Sequence, residues 1–197
     1  MKKIFFTVSL IFNIVFLNSC SSDDYNKETI VTGEVVAQNP KKVLFIGNSY
    51  TYGNNMPKMT RLLASSVQDT MIYATHTPGG AYLHQHANSA QLYNLINSQE
   101  WDFVTIQSQS RESALDQDYF DINVYPYAQT LVNKIRNNHA ESMPLFFMTW
   151  GYENGYKPLC SSLPYMCDFE AMNDKIEERY TFYASATNSM VSPVGAV

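Results

Sequence analysis

Val43-Leu44-Phe45-Ile46-Gly47-Asn48-Ser49-Tyr50-Thr51 is the stretch whose reading decides the fold. Four β-forming residues in a row, Val43 to Ile46, fit a strand buried on both faces of a parallel sheet, and Gly47 and Asn48 are types that permit a tight turn after it. Pro57 stands just beyond, where it suits the first turn of a helix. This strand-turn-helix order puts Ser49 at the carboxyl edge of the sheet, where open α/β folds bind ligands. Two readings of Gly47-Asn48-Ser49 follow: a plain turn, or the seat of a nucleophile.

The rest of the chain repeats the alternation. The patterning predicts a helix from Pro57 to Ser66, a strand from Thr70 to Thr75, and a helix from Leu83 to Asn97 after the Pro78-Gly79-Gly80 turn. A strand from Trp101 to Ile106 and a polar loop come next, then a helix carrying Tyr127, Leu131, Val132 and Ile135 that ends near Asn138. A strand from Pro144 to Trp150, a helix from Phe169 to Ala186 and a strand opening at Val191 complete the series. Such alternation predicts an α/β fold, three-layer α/β/α, with a parallel sheet and right-handed crossovers.

Met1 to Ser19 has Lys2 and Lys3 followed by an apolar run from Ile4 to Leu17, shorter than the ~20 residues a membrane-crossing helix needs. It reads as an export signal. Leu17-Asn18-Ser19-Cys20 resembles a bacterial lipoprotein cleavage box, which implies a lipid on Cys20. Ser21-Ser22-Asp23-Asp24 resembles the start of surface-directed Bacteroides-type lipoproteins, so an exported protein anchored to the membrane, at the outer membrane or cell surface, is expected. Residues 20–40 lack apolar periodicity and read as a tether, leaving 41–197 as one domain, close to the usual ~150 residues. The formal charge is −5, and two lysines fewer after the signal makes it −7. With no Lys/Arg cluster to follow phosphates, a nucleic-acid partner is excluded. Export permits disulfides, and Cys160 and Cys167 are the expected pair, two free thiols being the alternative.

Three loops should share one sheet edge: Ser49 after the first strand, Gly79-Gly80 after the second, and Gln107-Ser108-Gln109-Ser110 after the third. A hydroxyl, a glycine N–H and an amide side chain are the inventory for acyl transfer, in which N–H donors stabilise an oxyanion. Here Phe45-Ile46-Gly47-Asn48-Ser49-Tyr50-Thr51-Tyr52-Gly53-Asn54-Asn55, Gly79 to His86, Trp101 to Ser110, Thr149 to Gly155 and the Cys160/Cys167 loop resemble the SGNH (GDSL-like) hydrolases and esterases, in a subgroup of exported Bacteroides-type proteins. The resemblance implies Ser49 as nucleophile and the N–H groups of Ser49 and Gly80 as oxyanion donors. The family's Gly-x-Asn-Asp block has no counterpart, so Gln107 or Gln109 would replace its amide. The family's Asp-x-x-His base motif is also absent, and the last histidine is His139. The expectation is a C-terminal truncation that lacks the catalytic dyad, with the last strand and helix missing.

Among the four histidines, His86 is the candidate to line the site and hold substrate, a structural histidine being the alternative. His84 and His86 stand two apart with no carboxylate or cysteine at ligand spacing, so no metal and no cofactor is expected. The implied activity is serine ester hydrolysis of a small-molecule or glycan acyl ester, with glycan deacetylation as its finer form. The rivals are a carbohydrate-binding lipoprotein without turnover and an inactive fragment.

Overall fold

A computed structural model describes residues 39–196; the predicted signal, Cys20 and all but the last two residues of the predicted tether lie outside the described residues. The opening stretch is β1, Lys41–Ile46. Four further strands follow, β2 (Met71–His76), β3 (Phe103–Ile106), β4 (Met143–Phe147) and β5 (Met190–Ser192). They form one sheet in the order β2-β1-β3-β4-β5, with every pairing parallel. This is the flavodoxin-like order, and its direction of progression reverses between β1 and β3. The opening stretch therefore ends at the switch point, where the crossovers from β1 and β3 diverge to opposite sides and leave a crevice.

Register separates the two faces. Leu44 pairs with Val104, and Ile46 with Ile106, which in turn pairs with Phe146. These five side chains are buried in one core with Leu83 of α3 (Leu83–Ala87), Leu92 and Ile96 of α4 (Ala90–Ile96), Leu131 and Ile135 of α6 (Tyr125–Asn138), and Tyr180 and Tyr183 of α7 (Phe169–Thr187). The opposite face carries Val43, Phe45, Phe103, Thr105 and Leu145. Among the described residues, α2 (Met56–Ser66) is the helix packed against it, and an open apolar groove of about 270 Å³ remains between Ala64, Met71 and those sheet residues. The helix layers are thus unequal. No helix among the described residues is long and apolar enough to cross a membrane.

Local chemistry explains the departures from the pattern. The helix expected over 83–97 is two helices, because Ser89 takes a non-helical conformation and its hydroxyl accepts the Leu92 N–H at 3.2 Å. The polar loop after β3 contains a helix, α5 (Gln117–Asn123), capped by Asp116, whose carboxylate accepts the Tyr119 N–H at 2.9 Å. β3 starts at Phe103, and Trp101 before it donates its indole N–H to the carbonyls of Leu95 and Ile96 at the end of α4. β5 stops at Ser192, since Pro193 has no N–H to extend the ladder. Cys160 and Cys167 are brought together by the loop after β4, but the expected disulfide is not formed: both are free thiols, and a hydrogen bond with Cys160 pushes the Cys167 thiol up.

Ser89 serves both as the α4 cap and as a partner of His76, whose Nε2 lies 3.2 Å from its hydroxyl. Replacing Ser89 with alanine removes the cap and is expected to cost about 1 kcal/mol of stability, read as a lower urea midpoint at unchanged slope.

Candidate active site

Ser49 opens α1 (Ser49–Tyr52), a single turn whose N-cap is Asn48. The cap is held from three sides. Its Oδ1 accepts the Tyr50 N–H at 3.1 Å and a Gln107 amide N–H at 3.0 Å, while its Nδ2 donates to the Ala81 carbonyl at 3.1 Å. The Asn48 backbone N–H donates to Gln107 Oε1 at 2.9 Å, and the Thr51 hydroxyl donates to the same oxygen at 2.8 Å. Gly47 is required by this closure, because a Cβ there would stand 2.2 Å from Thr51 Oγ1 and 2.6 Å from Gln107 Oε1. Ser49 itself is exposed, while Asn48, Thr51 and Gln107 beneath it are buried.

The expectation that Gln107 donates to an oxyanion is corrected by this geometry. Its side chain is wholly buried, and its two amide hydrogens are spent on Asn48 Oδ1 and the Ser108 carbonyl. It shapes the Ser49 turn from below. Gln109 is also engaged in its own loop: its Oε1 accepts the Arg111 N–H at 3.1 Å and its Nε2 donates to Ser110 Oγ at 3.0 Å. Gly80 lies in the neighbouring turn, where Ala81 N–H donates to Pro78 O at 3.2 Å. Its φ of +70° at the third position is what a type II turn demands and what glycine permits. The Asn48–Ala81 bond ties this turn to Ser49, and among the described residues neither the Ser49 nor the Gly80 N–H has an acceptor.

His86 does not line the site, contrary to expectation. It is 1 % exposed, packed below the turn, with its Nδ1 3.1 Å from His76 Nδ1. Burial, followed by the neighbouring His76 ring, pushes it down to about 4 against the opposing pull of the Gly47 carbonyl, so it is neutral at physiological pH. His84 is exposed between the Tyr82 and Tyr127 rings, and His139 lies by Ser142 and Glu100 at the far end of the sheet. Among the described residues no side chain hydrogen-bonds the Ser49 hydroxyl, and no cluster of metal-ligating groups is present.

Sequence reasoning passed over a buried carboxyl. Glu112 is fully buried, and one oxygen accepts from the Ser108 hydroxyl at 3.0 Å, the Gln109 N–H at 3.2 Å and the Leu83 N–H at 3.3 Å, while the other has no partner. Burial outweighs these bonds and pushes it up to about 7. The aromatic wall beside Ser49 was also missed: Tyr50 stacks on Trp150 at 4.7 Å, and with Tyr152, Glu153 and Phe169 they line a cavity of about 640 Å³.

Comparison with solved structures places the fold. The chain overlays on a protein named as a candidate SGNH hydrolase from Slackia heliotrinireducens, with 24% identity and a TM-score of 0.64 over 80% of this chain and 81% of that one. The fold is that of the SGNH hydrolases. A DUF4886 family protein from Bacteroides uniformis matches at 20% identity and a TM-score of 0.64, over 80% of this chain and 68% of that one. The esterase AlinE4 matches at 10% identity and a TM-score of 0.56, over 79% and 77%. No protein-family profile and no curated protein matches the chain. On the SGNH scaffold, Ser49 and Gly80 stand at the carboxyl ends of β1 and β2, as the motif resemblance implies.

Two outcomes follow from the buried groups. Gln107→Leu strands the Asn48 N–H and the Thr51 hydroxyl in a dry site, and the expected loss is about 2–5 kcal/mol in urea unfolding; a change in rate with no loss of stability would instead mark a donor to substrate. Because the folded-state pKa of Glu112 is raised from 4.5 to about 7, its contribution to stability is fully present below about 4.5 and is lost as pH rises through 7. The loss is on the order of 3 kcal/mol, and in Glu112→Gln it is absent, so the variant gains on the native chain between about pH 5 and about pH 8 in paired urea melts.

Proposed function

We propose that the chain is a serine ester hydrolase whose nucleophile is Ser49. The observation that carries this reading is an exposed serine at the switch point of an SGNH fold, with its own N–H and that of Gly80 unspent beside it. In the reaction, Ser49 Oγ attacks the acyl carbonyl and loses its proton, the carbonyl oxygen takes up negative charge against the two N–H groups, and the alcohol departs with a proton. Water then releases the acid from Ser49. Each positioned donor is typically worth ~10²–10³ in rate. The aromatic wall of Tyr50 and Trp150 favours a sugar ring as the alcohol side, since pyranose faces stack on such rings, and glycan deacetylation is the finer form of the reading. A lipid on Cys20 would hold the enzyme at a membrane surface, facing glycan outside the cell.

A second reading is favoured by one observation: all four histidines are accounted for, and none contacts Ser49. In that reading the same cleft binds carbohydrate without turnover. A serine served only by oxyanion donors typically retains ~10³–10⁴ over water. The expected result for the chain is therefore slow, Ser49-dependent labelling by a fluorophosphonate and slow hydrolysis of p-nitrophenyl acetate, both lost in Ser49→Ala. Without a histidine base the rate should climb with hydroxide through neutral pH rather than level off near 7. Labelling that persists in Ser49→Ala rejects the nucleophile, and the absence of labelling and turnover in the native chain leaves the binding protein.

A further inference from the structure

Beyond the Tyr50–Trp150 wall a second groove of about 610 Å³ opens between Tyr82, which follows the Gly79-Gly80 turn, and Tyr156, Leu159 and Leu163 of the loop after β4. Arg111 stands in it. Its guanidinium carbon lies 4.7 Å from the centre of the Tyr156 ring, and one of its nitrogens donates to the Tyr82 hydroxyl at 3.5 Å. The Tyr152 hydroxyl adjoins the same guanidinium. Tyr152 lines the cavity of Tyr50 and Trp150, and its ring meets edge-on, at 5.9 Å, that of Tyr156, which lines the second groove.

Tyr82 and Tyr156 therefore hold this cation, with Tyr152 adjoining it. Among the described residues no carboxylate lies within ion-pair distance of Arg111. Asp116 lines the same groove, but one of its oxygens is turned to the Tyr119 N–H as the α5 cap. Stacking on Tyr156 limits the rotamers of the guanidinium, and a planar fork fixed in this way matches a carboxylate with two parallel hydrogen bonds. The tyrosine rings on either side offer faces for a saccharide ring. An acidic ligand gains little from the protein as a whole, whose formal charge is −5, so attraction to it has to be local.

We infer that Arg111, framed by Tyr82, Tyr152 and Tyr156, is a subsite for the carboxylate of an acidic saccharide whose neighbouring residue lies along the aromatic wall beside Ser49. For a substrate this means that the ester removed belongs to a uronate-type glycan. The location beside Ser49 rests on the hydrolase reading, whereas the binding itself does not.

Calorimetric titration of the full chain with a short oligogalacturonide, with a neutral galactose oligomer of the same length and with inorganic phosphate tests it. The acidic oligomer is expected to bind roughly ten- to a hundredfold more tightly than the neutral one, the range for a charged hydrogen-bonded pair. The preference should vanish in Arg111→Met, survive in part in Arg111→Lys, and shrink in high salt in the native chain, a readout that holds even where a variant folds poorly. Equal affinity for the acidic and neutral oligomers, or inorganic phosphate binding as tightly as the oligogalacturonide, overturns the subsite. No turnover is read, so failure of the fluorophosphonate labelling at Ser49 leaves this result standing, and failure here leaves that labelling untouched.

Discussion

The buried side chain of Gln107 is the constraint on which the carboxyl edge of the sheet depends. It leaves the end of β3 and takes up the backbone N–H of Asn48 and the hydroxyl of Thr51, both beyond the end of β1. Asn48 in turn reaches Ala81 beyond β2. Parallel strands place their following loops at one edge, but the ladder bonds stop where the strands stop. From there on, a chain of side-chain amides does the work of the ladder, and three loops distant in sequence become one rigid surface. Each bond nets only about 1 kcal/mol, yet losing one partner leaves a desolvated polar group, so the set holds or fails together.

Beneath this surface lie two buried polar networks of opposite titration sense. On the β2 side, His76 and His86 share a hydrogen bond, and burial pushes both down. On the α7 side, Glu112 bonds Ser108, whose hydroxyl accepts from Ser113, and Ser113 pairs with Tyr183 at 3.0 Å. Acidification charges the histidines at a cost to the fold, and alkalinisation charges Glu112 at a cost of its own. Between these limits the floor of the edge carries little charge, and Arg111 stands at its rim.

Much of this was legible in the chain. Apolar runs and Gly/Pro punctuation gave all five strands, and the strand-turn-helix order with Gly79-Gly80 placed Ser49 and Gly80 correctly on the edge. The failures share a physical cause. Gln107 looked free to meet substrate because its partners, Asn48 and Thr51, lie some sixty positions earlier and meet it only through the β1–β3 register. His86 looked set to face the edge from one long helix, but α3 ends at Ala87 ahead of the break at Ser89, and the ring is buried against His76. A signal for that break was present, since Ser89 ahead of Ala90-Gln91-Leu92 has the composition of a helix cap. Nothing local marked Arg111, whose meaning comes from tyrosines supplied by two other loops.

Rigidity and proton transfer are separate contributions at such an edge. The Gln107–Asn48 bracket ties the Ser49 and Gly80 turns together through amide groups, none of which ionises. A general base typically adds a further ~10²–10⁴ in rate, but it requires hydrogen-bond reach to the serine and little else from the turn. The Tyr50–Trp150 pair and Arg111 are likewise held by stacking rather than by contact with Ser49. The amide bracket, the stacked rings and the guanidinium are thus held by different contacts, so a substitution in one leaves the supports of the other two in place.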